Sequence, residues 1–312
     1  MKDLKEQVND IMNARMSNSA KRNELVKIGI CPSDIEMLFF IDTMAKKQGK
    51  KDAALRRLLI ENYTFGVEIE CFNAPRPMLL SAAINRGLMM KSESYNHVDN
   101  RAYYKLVSDC SINGSDPVEC VSPILKGDNT GFDSLQAVCG ALNEIGARVN
   151  KSTGLHVHVG GNITVKQYCN TFVNYYHLES VIDTFMAESR RDAHYAKALH
   201  HTAHNHRQLN TRMLLEATSP CDVWAAFDGD RYFKINCVSW QAHHTIEFRQ
   251  HGGTTDYDKI RMWARFCLKL VAWSADNRLT ADVATIDEIP FLDDDEKTFF
   301  KGRKDALQRV TE

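Results

Sequence analysis

Three segments of this chain alternate ionisable and apolar residues with a period of two, and that alternation fixes them as strands. They are Phe65-Gly66-Val67-Glu68-Ile69-Glu70, Gly154-Leu155-His156-Val157-His158-Val159-Gly160 and Thr245-Ile246-Glu247-Phe248-Arg249. In a strand, residues i and i+2 point to one face. Each segment therefore shows one polar pair: Glu68/Glu70, His156/His158 or Glu247/Arg249. Val67, Ile69, Leu155, Val157, Val159, Ile246 and Phe248 point the other way, into a core. A face of carboxylates, imidazoles and a guanidinium is unfavourable unless something pairs the charges, and metal ions and phosphates are the obvious partners.

Taken singly, each pair also fits a solvated face, a hydrogen-bonded surface pair or a cross-strand ion pair. Their joint occurrence points to one shared site. Gly154, Gly160-Gly161 and Gly252-Gly253 flank two of the segments, and glycine permits close approach of a ligand to the backbone.

The remaining pattern supplies a scaffold. Residues 1–60 show helix spacing in Leu4, Val8, Ile11 and Met12 and again in Met37, Leu38, Phe40 and Ile41, with Ser33 as the expected N-cap and Glu36 three residues on. They form a helical N-terminal extension without recognisable chemistry. Residues 61–312 hold the rest. Strands are expected over 63–72, 103–107, 118–123, 156–160, 232–238 and 245–250. Helices are expected over 78–90, 131–146, 166–189 and 256–275, the last opened by a Thr255/Asp258 capping box, and the final 37 residues look helical and charged. Strands separated by long helices, some joined directly, predict an α+β fold: a curved, mostly antiparallel sheet with helices packed on its back.

The 312 residues carry a net charge of −1, so the electrostatic footprint of a nucleic-acid binder is missing. No apolar run approaches the length of a membrane span. Nine scattered cysteines, an odd count with no CxxC pair, fit free thiols in a reducing cytoplasm, and Met1 to Glu6 open on charges rather than on the apolar segment expected of a signal peptide.

The ordered set Phe65-Gly-Val-Glu68-Ile-Glu70, Asp109-x-Ser111, Glu119-Cys-Val-Ser122-Pro123, Gly154-Leu-His156-Val-His158-Val-Gly160 and Thr245-Ile-Glu247-Phe-Arg249-Gln250-His251 resembles the amidoligase family. That family sits in the carboxylate-amine ligase superfamily with glutamine synthetase and glutamate-cysteine ligase. The resemblance covers about residues 63 to 275. It implies a glutamine-synthetase-like catalytic fold and ATP-dependent amide-bond synthesis through an acyl phosphate, with Mg²⁺ or Mn²⁺ neutralising the phosphates. The substrates would be a small-molecule or peptide carboxylate and an amine, and related ligases often assemble as homo-oligomers. By motif, Glu68, Glu70, Glu119, His156 and Glu247 would ligate metal, and His158 would lie near the nucleotide. Arg249, beside Glu247, would stabilise the transferring phosphoryl group.

Other positions stay open between two readings. Lys234 and Asn236, facing one way on the expected strand 232–238, suit either nucleotide contact or an exposed surface. Arg190 and Arg191 suit a substrate carboxylate or phosphate, or a helix-terminal cation pair. Asp109 and Ser111 suit substrate binding or a self-bonded turn. His200, His201, His204 and His206 suggest zinc, but no cysteine or acidic partner is spaced to complete a tetrahedron. A metal-dependent hydrolase using His156 and His158, a non-catalytic nucleotide-binding module and phosphoryl transfer to a guanidine are the rival functions.

Overall fold

The computed structural model describes residues 4–94, 102–200 and 209–311. The chain divides into two units, Met1–Leu55 and Arg56–Glu312. The first is helical, with α1 (Leu4–Asn13), α2 (Asn18–Lys27) and most of α3 (Pro32–Glu61). Leu25, Ile35 and Phe39 form its small core, with Val8, Ile11 and Met12 packed on them. Pro32 opens α3, where a missing N–H costs nothing. The expected cap Ser33 is therefore already helical, and the Cys31 carbonyl takes the first amides, those of Asp34 and Ile35.

The second unit is α+β. Its strands are β1 (Tyr63–Cys71), β2 (Met90–Ser92), β3 (Tyr104–Val107), β4 (Val118–Val121), β5 (Leu125–Lys126), β6 (Gly154–Gly161), β7 (Ile235–Asn236) and β8 (Ile246–Gly252). They form one sheet in the order β2-β3-β4-β1-β6-β8-β7, with β5 pairing β1. All pairings are antiparallel except β2 with β3. Its helices are α4 (Arg76–Asn85), α5 (Asn129–Glu144), α6 (Val165–Asp183), α7 (Thr211–Glu216), α8 (Pro220–Ala226), α9 (Ser239–His243), α10 (Tyr257–Trp273) and α11 (Asp294–Thr311).

The back of the sheet is apolar, as the alternation requires. Val67, Ile69, Leu155, Val157, Val159, Ile246 and Phe248 are all at most 1% exposed and belong to one core with residues of α5, α6 and α10. Phe132 of α5 stacks on Phe65, and Tyr175 of α6 packs on Phe248. Pro123 separates β4 from β5 because it has no N–H to donate. Ser122 bridges the gap: its amide donates to the Val67 carbonyl and its hydroxyl accepts from the Val67 amide, each at 2.9 Å.

Several elements end earlier than the pattern predicts. The helix expected over 78–90 stops at Asn85, leaving Met90 free to begin β2. α6 stops at Asp183, and a separate 3₁₀ turn covers Glu188–Arg190. α10 is capped by Asp256, whose side chain accepts from the Lys259 amide, rather than by Thr255. The strand expected over 232–238 shrinks to Ile235–Asn236, because the Tyr232 carbonyl and Lys234 amide bond to Lys197 instead. Among the described residues, no helix is long and apolar enough to cross a membrane.

Candidate active site

Register brings the three polar pairs together. The central strands run β4, β1, β6, β8, β7, so their front-facing residues form a continuous row. Glu119 lies opposite Glu70, Glu68 opposite His156, His158 opposite Glu247, and Glu247 opposite Asn236. Antiparallel partners on one face are near enough for direct contact.

The contacts follow. His156 places Nδ1 2.8 Å from Glu68 and 3.8 Å from Glu247, and Nε2 3.6 Å from Glu70. His158 places Nε2 3.3 Å from Glu68 and 4.0 Å from Glu247, while its Nδ1 meets the Thr245 hydroxyl at 3.0 Å. The Arg249 guanidinium donates from Nη1 to Glu247, and the Asn236 amide donates to the other Glu247 oxygen at 2.6 Å. Glu70 accepts the Gly154 amide at 2.6 Å.

Gly154 has a steric reason to be glycine. A Cβ there would lie 3.1 Å from His156 Nε2, 3.3 Å from Arg190 Nη2 and 3.5 Å from Glu70 Oε1. An irregularity between β6 and β8 re-aims the far end of the row. Val157 pairs with Phe248 and Leu155 with His251, so His156 alone faces both Arg249 and Gln250. Arg249 then reaches forward, its Nε donating to the Tyr195 carbonyl at 3.3 Å. Gln250 turns to the back, bonding Tyr175 and Asp183.

Charge is unevenly held across this face. Burial and the neighbouring charges of Glu68, Glu70 and Asp109 push the Glu119 carboxyl up to about 10. Burial works to raise Glu247 too, but Arg249 and then His158 outweigh it and hold it at about 2. Glu68 is half-buried, and hydrogen bonds from His156 and His158 hold it well below the usual range against the pull of desolvation. Burial opposes charge on His158, but Glu247 and Glu68 overcome it and raise the imidazole above its ordinary value.

Three donor sets have ligand atoms within 4.8 Å of one another: Glu68, Glu119 and His156; Glu68, His158 and Glu247; Glu70, Asp109 and Glu119. The oxygen-rich composition suits Mg²⁺ or Mn²⁺. A bound cation fits the crowding of Glu68, Glu70, Asp109 and Glu119 at one end of the row.

The other expected site residues divide. Arg190 comes to the site: it is buried, donates to the Arg249 carbonyl at 2.7 Å and the Gln250 carbonyl at 3.3 Å, and has no carboxylate in salt-bridge range among the described residues. Burial lowers its pKa, against the pull of the Glu70 charge. Arg191 does not come to the site; it is exposed and bonds the Met186 carbonyl. Asp109 joins a donor set and also accepts the Ser111 amide at 2.7 Å, so Ser111 serves a turn. Asn236 shares the face, but its amide orients Glu247 and its carbonyl takes the Val238 amide.

Lys234 is a correction to the expected front-face lysine. Its side chain is fully buried, and the ammonium lies 2.8 Å from both Glu179 and Asp183 of α6. Lys234 sits outside the short β7, so strand alternation does not govern it. His200 is also taken up by Glu179 at 2.8 Å and stacks on Tyr176 at 4.0 Å. His201, His204 and His206 lie outside the described residues. Sequence reasoning missed the Gly154 amide, the Thr245 hydroxyl and the Tyr195 carbonyl. Only Thr245 left a signal, standing two residues before Glu247 on the same strand face.

The putative amidoligase enzyme family model matches residues 61–271. This chain belongs to that family. The matched stretch runs from the end of α3 to the last turn of α10 and contains every strand and every front-face residue described above. No curated protein matches the chain. The row of carboxylates and imidazoles, with Arg249 and Arg190 beside it, is the largest group of ionisable side chains that the sheet of the matched stretch gathers on one face.

Proposed function

We propose that this amidoligase is an ATP-dependent carboxylate-amine ligase with a glutamine-synthetase-like catalytic domain. The observation that carries the reading is the single row Glu119, Glu70, Glu68, His156, His158 and Glu247, ended by Arg249. Glu68, Glu70, Glu119, His156 and Glu247 would hold Mg²⁺ or Mn²⁺, with Asp109 joining the Glu70 end and His158 the Glu247 end. Divalent ions supply charge neutralisation to a triphosphate.

In this reading, a substrate carboxylate oxygen attacks the γ-phosphorus, the bond to the β,γ-bridging oxygen breaks and ADP leaves. The amine then attacks the acyl carbon, phosphate departs with the acyl C–O bonding pair, and the nitrogen loses a proton. Arg249 would serve phosphoryl transfer through Nη2, which has no partner among the described residues while Nη1 and Nε are anchored on Glu247 and Tyr195. Glu247 in turn fixes that guanidinium, and Asn236 fixes Glu247. Arg190 is buried and has no carboxylate partner among the described residues, so it suits an anionic substrate group. The substrates would be an amino acid, peptide or cell-wall-like molecule and an amine, handled in the cytoplasm.

The test is ADP release from ATP in mixtures of carboxylates and amines, with condensation products followed by mass spectrometry. ADP should appear only when both substrates are present, and Glu68→Ala and Arg249→Ala should abolish it. Unchanged release in those variants, or turnover without ATP by protein carrying zinc, would overturn the reading.

A further inference from the structure

The Arg249 Nε bond leads away from the carboxylate row to a small aromatic group. Ala193 and Ala196 exchange backbone hydrogen bonds at 3.0 and 3.2 Å, closing a two-residue hairpin with His194 and Tyr195 at its tip. The Tyr195 ring meets the His194 ring edge-on at 4.6 Å and the Tyr232 ring at 5.4 Å. His194 lies over Tyr232 at 6.1 Å with an interplanar angle of 29°.

This hairpin is held on several sides. The Lys197 amide donates to the Tyr232 carbonyl at 2.8 Å, and Lys197 Nζ pairs with Asp230 at 2.6 Å. The Ala198 amide donates to Asp192 at 3.1 Å. Arg249 ties the tip to the carboxylate row through the Tyr195 backbone.

The three rings are not equivalent. Arg231 and Lys197 both lie over Tyr232, at 5.4 and 5.7 Å. No cation among the described residues lies over Tyr195, whose side chain is 47% exposed. A large aromatic ring held rigidly, open to solvent and beside an arginine is a surface for a planar group. Arg249 links that surface to the end of the row suited to a polyanion, because one guanidinium touches both Glu247 and Tyr195.

A ligand with a polyanionic end and a flat heteroaromatic end matches both features. We propose that Tyr195, supported by His194 and Tyr232, is the stacking platform for the nucleobase of the nucleotide. The inference rests on the ATP reading and adds to it the residue that discriminates nucleotide from bare polyphosphate.

The test is calorimetric binding of the β,γ-imido analogue of ATP and of inorganic tripolyphosphate, each with Mg²⁺, to the full chain. Tyr195→Ala keeps the backbone carbonyl that Arg249 uses. It should weaken analogue binding roughly tenfold, the scale of one base–aromatic stack, and leave tripolyphosphate binding unchanged. Tyr195→Phe should restore analogue binding. Equal weakening of both ligands, or no weakening of either, would overturn the platform while leaving the ATP reading intact. Failure of the wild-type protein to bind either ligand would remove the ATP reading and the platform with it.

Discussion

Replacing Lys234 with methionine separates a structural lysine from a phosphate ligand. The side chain keeps its length and loses its charge. In the wild-type protein the ammonium lies 2.8 Å from Glu179, which is 3% exposed, and 2.8 Å from the more open Asp183. Glu179 gives one measure of the pair. Burial works to raise its carboxyl, but the His200 hydrogen bond and then Lys234 outweigh it and hold it at about 2, against an ordinary 4.5. A shift of that size corresponds to roughly 3 kcal/mol of stability, shared among all its partners. Breaking one partner of a buried pair costs about 3–5 kcal/mol, because the other charge is left uncompensated. For a unit of this size, Lys234→Met should lower the melting temperature by roughly 6–20 °C, read by circular dichroism.

The pH dependence has a definite sign. A carboxyl depressed on folding contributes stability that is complete above its unfolded value and is lost as pH falls through the folded one. The wild-type Glu179 contribution is therefore complete above pH 4.5 and lost as pH falls toward about 2. In Lys234→Met the carboxyl rises toward its unfolded value, so the interval narrows and the stability this group loses on acidification should shrink. Combining Lys234→Met with Glu179→Gln should cost less than the sum of the single changes, because the stranded charge disappears with its partner. An unchanged melting temperature together with lost nucleotide affinity would refute the reasoning and restore Lys234 to a phosphate.

Gly154→Ala should leave the fold intact but weaken Mn²⁺ binding, measured by calorimetry, because the added methyl would stand 3.1 Å from His156 Nε2 and 3.5 Å from Glu70 Oε1. Ser122→Ala should cost about 1–3 kcal/mol in urea unfolding, because the buried Val67 amide loses the hydroxyl that accepts it across the Pro123 break. Chelation should abolish ATP-dependent condensation, and Mg²⁺ or Mn²⁺ should restore it; activity that persists in excess chelator would exclude the cation site.

The front face was legible because a two-residue period survives any change in the surrounding fold. Glu68, Glu70, His156, His158, Glu247 and Arg249 share a face for that reason, and the apolar residues between them form the core. The alternation over 232–238 looks equally regular but misleads. The Lys234 carbonyl still accepts the Arg249 amide of β8, but its own amide turns to Lys197, and its side chain answers to the acids of α6 rather than to the strand period. Glu179 and Asp183, one turn apart on α6, were the available hint of a buried cation partner. Backbone donors and acceptors left no trace at all: nothing about Tyr195 or Gly154 as side chains reveals that a carbonyl holds Arg249 or that an amide holds Glu70.

Glu68 belongs to two of the three donor sets, and so does Glu119. Deleting either carboxylate removes a ligand from two candidate ions at once. Single substitutions on this face will therefore look alike in any assay of turnover, whichever ion each side chain mainly serves. Counting bound manganese per polypeptide in each variant is the measurement able to tell the sets apart.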